Sequence, residues 1–322
     1  MRTSLARSLL AAASLSIASL ACAAPQPQWT VIEIPALGTF GGFANSVNDA
    51  GDVVGYSWVN SANANHAFLW NSGTMTDLGT PPGSRSSSAV AVNDHGVVLG
   101  IDANNKAWTW SDGTWTSLGG APSPGDINKS GAMTGMYTAV HGLHGYLYDN
   151  GVVTDTGDLG GNNTYTAAIN DKNMIVGNSE MPDTVTAHAF MFDGVIHDLG
   201  TLGGRNSTAI GVNSHGDVVG GAADSAQVYK PFIWDARGGM RQLFAVSGFG
   251  YANDINDHGA VVGLANSRAF LYDRGVVTDL QSIPEVAARG YSQLTPIDIN
   301  NRGWILAYAF RGTFVSVLLI PN

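Results

Sequence analysis

The chain has 322 residues, a formal charge of −10 at pH 7, 41 glycines and one cysteine, Cys22. That acidity argues against nucleic acid or an anionic lipid surface as partner, and a lone cysteine excludes a disulfide framework. Only Glu33, Glu180 and Glu285 stand among the 25 acidic residues; the rest are Asp, which favours turns, so the composition reads as all-β.

In chain order, residues 1–24 come first. Arg2 and Arg7 form a positive head, an apolar run of 12 residues follows at 9–20, and Ala21-Cys22-Ala23 is a small-residue cleavage site. These are the parts of a secretory signal peptide, and the run is too short to span a bilayer. The mature chain, 25–322, is expected as a single domain, secreted or periplasmic. Removal of the two arginines takes its charge to near −12. A lipid anchor through Cys22 is the alternative, with Leu20 one residue too close to the Cys for the usual pattern. No other apolar run is long enough for a transmembrane segment.

Next stands "WTVIEIPALGTFGG" (29–42), and then a turn that recurs seven times: VNDAG (47–51), VNDHG (92–96), INKSG (127–131), INDKN (169–173), VNSHG (212–216), INDHG (255–259) and INNRG (299–303). The Asn residues are 45, 35, 42, 43, 43 and 44 positions apart, the length of a propeller blade. Each unit resolves into four short strands. A small, alternating first strand precedes the turn, whose last residue is predicted to hold a positive φ. A second strand such as DVVGYS (52–57), a variable loop, an aromatic third strand such as HAFLW (66–70), a tight Gly turn and a fourth strand such as VIHDL (195–199) follow. The blades are placed at 44–80, 88–119, 125–160, 166–200, 208–244, 252–280 and 296–320, the last completed by 29–37. Leu37 to Gly42 matches Leu199 to Gly204, so the chain opens with an orphan fourth strand, whereas the last unit supplies three. A ring in which the N-terminal strand completes the last blade removes the unpaired edge. The expected fold is an all-β, seven-bladed β-propeller with four-stranded blades; an open β-solenoid is the alternative.

The segments HAFLW with DLG, AINDKNMIVG and DLGTLGG resemble the HAF-repeat family of secreted bacterial proteins. That resemblance covers nearly all of the mature chain. It implies an extracellular or periplasmic repeat protein with propeller-like blades, and no established activity. The first motif position is His, Lys or Arg in different blades, which argues against a shared metal-ligand role.

Folding the third and fourth strands about their turn sets His66 opposite Asp77, His188 opposite Asp198 and Arg268 opposite Asp279. We read these as cross-strand ties worth about 0.2–1 kcal/mol each; metal binding is the alternative, but one His and one Asp per blade do not converge. Phe68, Trp70, Trp108, Trp110, Phe190, Phe192, Phe232, Trp234, Phe270 and Tyr272 alternate along third strands and are expected to pack between blades rather than form a sugar-stacking row. His95, His215 and His258 occupy one slot in three Asn turns and are expected as solvated turn residues. Asp126, Asp254 and Asp298 share a position just before the turn, near the channel. No cofactor is expected; Ca2+ held by these three is the alternative to a turn-capping role.

The tight turns lie on one face of the ring. The long variable loops at 57–65, 136–143, 178–187, 221–229 and 281–295 belong to the other, where a ligand is expected. There is no G-x-S-x-G, H-E-x-x-H or P-loop, and WSDGTW (110–115) is a single, shortened likeness of a sialidase Asp-box. An enzyme is therefore not expected. The leading reading is a monomeric, non-catalytic binding or interaction module for an extracellular or envelope protein or a glycan. A polysaccharide-active hydrolase or lyase would need converging carboxylates. A structural surface or matrix protein would self-assemble.

Overall fold

The computed structural model describes residues 28–39, 41–59 and 64–322. The expected leader at 1–24, with Cys22, lies outside the described residues.

The second strands explain why blades stack. Six of the seven carry adjacent bulky apolar residues pointing to opposite faces: Val53 and Val54, Val98 and Leu99, Ile175 and Val176, Val218 and Val219, Val261 and Val262, Ile305 and Leu306, all 0% exposed; in blade 3 the pair is Met133 and Thr134. A strand buried on both faces reads as a continuous apolar pair rather than an alternation. Burying each such side chain contributes about 1.5–3 kcal/mol. The third-strand aromatics Phe68, Phe190, Phe232 and Phe270 are likewise buried, in clusters that also hold residues of a neighbouring blade.

The result is seven four-stranded antiparallel sheets, in sequential strand order in the first six. In blade 1 the strands are Gly42–Val47, Val53–Trp58, Asn65–Asn71 and Thr74–Asp77. The seventh sheet is composite. Gln293–Ile299, Ile305–Phe310 and Phe314–Pro321 supply three strands, and Trp29–Ile34 pairs with the last of them from Trp29↔Pro321 to Ile34↔Ser316. Trp29 and Val31 pack into a core with Val262, Leu280 and Leu294, toward blade 6; Ile34 packs with Ala44, Val47 and Phe68 of blade 1. The ring is therefore a closed seven-bladed propeller, sealed by its N-terminal strand.

The turn prediction holds in every blade. Gly51, Gly96, Gly131, Gly216, Gly259 and Gly303 have φ between 74° and 91°, and Asn173, in the one turn without Gly, has φ 60°. Two features differ from expectation. Blade 5, placed from 208, opens earlier, since its first strand runs Gly203–Val212. The loop at 281–295 contains a short α-helix, Pro284–Ala287, opened by Pro at its start, whose Val286 plugs the core of blades 6 and 7. Four residues are too few for a 3.6-residue period to register.

A β-bulge not expected from the sequence recurs seven times. Every first strand slips register at the third residue before its Asn: at 45, 90, 125, 167, 210, 253 and 297. A bulge turns one residue out of the ladder and re-aims its neighbours. It also presses the preceding backbone onto the second strand. A Cβ at Gly55, Gly177, Gly220 or Gly263 would stand 1.9–2.1 Å from a first-strand carbonyl oxygen. These glycines fall seven residues after the Asn, and an isolated Gly inside a strand is the sequence signal for such a bulge.

Candidate functional site

The repeated Asn builds a wheel at the tight-turn end of the channel. In each blade its side-chain oxygen accepts backbone N–H groups of its own turn: Asn93 Oδ1 takes those of His95 and Val97, Asn300 Oδ1 those of Arg302 and Trp304. Its Nδ2 donates to the carbonyl of the equivalent Asn one blade on. The series runs Asn48 to Asn93, Asn128, Asn170, Asn213, Asn256 and Asn300, and Asn300 returns to Asn48. All seven links are 2.8–3.3 Å, and all seven Asn are 3–6% exposed. The repeat thus encodes a closed hydrogen-bonded circle.

One residue on, a second ring is partial. Asp94, Asp171, Asp257, Asn301 and Asp49 accept the backbone N–H of Asp49, Lys129, Ser214, Asp257 and Asn301 respectively. The two breaks fall where the acceptor position is Lys129 or Ser214. These residues and the Asn wheel line a mouth of about 770 Å³. Deeper, the bulged residues Asn45, Val90, Ala167, Ile210, Asn253 and Ile297 face a chamber of about 630 Å³.

Asp126 and Asp298 line both spaces, and Asp254 the inner one. Each carboxylate accepts an N–H of the next blade: Asp126 from Ile169 (2.9 Å), Asp254 from Ile299 (2.9 Å) and Asp298 from Val47 (2.8 Å). The three are half-buried, open to the channel but enclosed by protein around it. Burial pushes Asp126 up to about 6. Burial, then the charge of Asp298, raises Asp254 well above the usual carboxylate range, and burial raises Asp298. Gly211 makes room, since a Cβ there would stand 2.9 Å from Asp254 Oδ1. Among the described residues no group of three or more His, Cys, Asp or Glu is arranged to hold a metal ion.

The structure brings His66 to Asp77 (3.0 Å), His188 to Asp198 (2.9 Å) and Arg268 to Asp279 (2.6 Å). The contacts are diagonal rather than directly opposite: the backbone partner of each Asp is the Phe two residues further on, Phe68, Phe190 and Phe270. The turn is not symmetric about the strand pair, and the strand twist lets the longer side chain reach across to the Asp. Each Asp also accepts the N–H two residues ahead, of Gly79, Gly200 or Gln281, so it fixes the exit from its blade. A fourth tie went unread: His144 Nδ1 meets Asp155 at 2.9 Å, with the Tyr137 hydroxyl donating to the same carboxylate. The spacing of 11 residues, as in His66 and Asp77, was its signal. In blade 5 the equivalent cation, Lys230, is 6% exposed and donates to the carbonyls of Val246, Ser247 and Gly248. His95, His215 and His258 sit in the turns, their amides tied to the Asn side chains; the His95 ring also contacts the Lys129 carbonyl at 2.9 Å.

The opposite face carries the least repetitive residues. Phe43, Tyr56, Trp58 and Tyr308 form a partly exposed aromatic cluster at the seam of blades 7 and 1, with ring centroids 5.3–6.1 Å apart. A second cluster, Tyr229, Phe249 and Tyr251, lies between blades 5 and 6, and Phe249 is 54% exposed.

No protein-family model matches this sequence. No curated protein matches it either. Solved structures do match in fold. The chain is similar to the β-propeller domain of the trilobed protease from Pyrococcus furiosus, described as having an open velcro topology (9% identity, TM-score 0.53, 86% of this chain and 97% of that one). It is similar to an oligogalacturonate lyase from Vibrio parahaemolyticus (8% identity, TM-score 0.55, 91% and 97%). An extracellular domain from B. thetaiotaomicron matches at 11% identity and TM-score 0.56; the match covers 90% of this chain and 39% of that one. At such identities the likeness is one of fold alone.

Proposed function

We propose that the chain is a non-catalytic binding propeller of the HAF-repeat type, exported by its leader, that engages an extracellular or envelope protein or glycan through the face opposite the tight turns. One observation carries this reading. On the tight-turn face the repeated polar side chains join blade to blade, so their chemistry is committed to the ring. On the other face the residues that break the repeat are aromatic and partly exposed, in the two clusters at blades 7/1 and 5/6. Aromatic side chains of this kind are the commonest anchors of binding surfaces.

The hydrolase or lyase reading draws on the Asp254–Asp298 pair. Glycosidase carboxyls stand about 5–9.5 Å apart to admit the glycosidic oxygen or a water. Both carboxylates are already committed to backbone N–H groups of a neighbouring blade, so the pair supports that reading poorly.

The test is retention of envelope proteins and glycans on immobilised mature protein, compared with a Trp58→Ala/Phe249→Ala variant and an Asp94→Asn variant. Loss of the retained partner with the first variant and not the second is the expected result. Loss only with Asp94→Asn, turnover of a polysaccharide, or self-assembly without a partner would each replace the proposal.

A further inference from the structure

We infer that the seam between blades 7 and 1 is a site for a neutral saccharide, with Phe43, Tyr56, Trp58 and Tyr308 as its platform. The inference rests on the binding reading above and narrows it to one site and one ligand chemistry.

Tyr56 and Trp58 have no aromatic counterpart in the second strands of blades 2 to 6, whereas the Phe43 position is also aromatic in blades 4 and 6, as Tyr165 and Tyr251. Tyr56 and Tyr308 hold the same position in the second strands of blades 1 and 7; in blades 2 to 6 it is Ile101, Met136, Asn178, Gly221 and Leu264. The composite seventh blade therefore meets blade 1 across two tyrosines. Phe43 stands edge-on to Tyr308 (89°) and to Trp58 (78°), and Trp58 edge-on to Tyr56 (79°). An edge-on arrangement holds the rings rigid without stacking them face to face. All four remain partly exposed.

The polar tips choose the ligand. Tyr308 donates to Asn45 Oδ1 at 3.1 Å, and Asn45 in turn donates to the Ala89 carbonyl, which fixes that phenol at the edge of the inner channel chamber. The Tyr56 hydroxyl and the Trp58 indole N–H have no hydrogen-bond partner among the described residues. An apolar peptide laid over them would leave both groups buried and unpaired, which opposes its binding. Among the described residues no cation–π contact involves any of the four rings, so the platform itself offers an ionic ligand no counter-charge. A ligand with C–H faces for the rings, hydroxyls for the tips and no charge meets all three conditions, and a pyranose oligomer has that chemistry.

Titration calorimetry with neutral cello-, malto- and N-acetylchito-oligosaccharides, and with oligogalacturonate as the acidic comparison, tests this. At least one neutral series should bind. Trp58→Ala should weaken it about tenfold or more, the equivalent of about 1.4 kcal/mol, while Val152→Ala, at an exposed position of blade 3, leaves it unchanged. Trp58→Phe, which keeps a ring and deletes the N–H, guards against loss of fold and should weaken binding less than Trp58→Ala. Binding insensitive to both Trp58 variants, binding of oligogalacturonate alone, or capture of apolar peptides at this seam would overturn the inference. If no neutral oligosaccharide binds while the loop face still retains an envelope partner, the saccharide site falls and the binding reading stands. If neither is seen, both fall.

Discussion

Asn300 is where closure of the ring can be measured on one side chain. Its Nδ2 donates across the seam to the Asn48 carbonyl at 2.8 Å, and its Oδ1 holds the amides of Arg302 and Trp304 at 3.0 and 2.9 Å. At 6% exposure, water cannot replace these bonds. Asn300→Ala would leave a carbonyl and two amides unpaired, and a buried unpaired group costs about 1–3 kcal/mol. Some relaxation is certain, so the expected loss is about 2–4 kcal/mol by urea unfolding. Asn300→Asp keeps the acceptor but sets a carboxylate against the Asn48 carbonyl, and should be no milder at neutral pH. A loss below about 0.5 kcal/mol for Asn300→Ala, the range of ordinary surface substitutions, would remove the wheel from the account of closure. The same double use of one amide explains why the position is Asn. Asp lacks the donor, Ser the reach, and Gln would carry the amide one methylene too far.

At the scale of the hairpin, the His–Asp tie and the Asp turn can be separated. His188 meets only Asp198, on a partly exposed surface, and exposed pairs are worth about 0–1 kcal/mol. Asp198 also accepts the Gly200 amide at 2.7 Å, which sets the chain's exit toward blade 5. Asp198→Ala should therefore cost more than His188→Gln, with the difference about 1 kcal/mol, as for loss of an Asx or N-cap contact. Equal costs would mean that the tie, and not the turn, matters. This hairpin also marks how far the sequence could be read. The Asn turns at near-constant spacing, the apolar second strands and the orphan Trp29–Ile34 strand are local patterns, so blade number and closure were legible. The diagonal register of His66 and His188 was not, because it depends on sheet twist. The seven bulges were signalled only by Gly55 and its equivalents, which local reading takes as weak strand residues. The blade 7/1 aromatic cluster joins residues more than 250 positions apart, and no period relates Phe43 to Tyr308. Repeats disclose the scaffold, whereas the candidate site consists of residues that depart from them.

For the whole ring, pH acts through the three channel carboxyls. Asp126 joins blade 3 to 4, Asp254 blade 6 to 7, and Asp298 blade 7 to 1, the last spanning the same seam as Asn300. Burial raises all three in the folded state, Asp126 to about 6. A carboxyl raised by folding binds protons more tightly in the native chain than in the unfolded one. Its contribution is therefore largest at acid pH and is lost as pH rises through the folded value. Asp102, Asp155 and Asp257 are shifted the other way: hydrogen bonds to amides and side chains outweigh the burial that opposes them, so their contribution is lost as pH falls below about 4. The two sets together place maximal stability on the acid side of neutrality, near about pH 5. Between pH 5 and 7.5 the Asp126 shift alone amounts to about 1 kcal/mol. Thermal unfolding across that interval should show Tm falling as pH rises. Asp126→Asn, which has no proton to lose, should flatten the slope while leaving the far-ultraviolet spectrum unchanged. A Tm that is level or rises from pH 5 to 7.5, or a slope untouched in Asp126→Asn, would show that these carboxyls are hydrated through the channel and do not govern the ring.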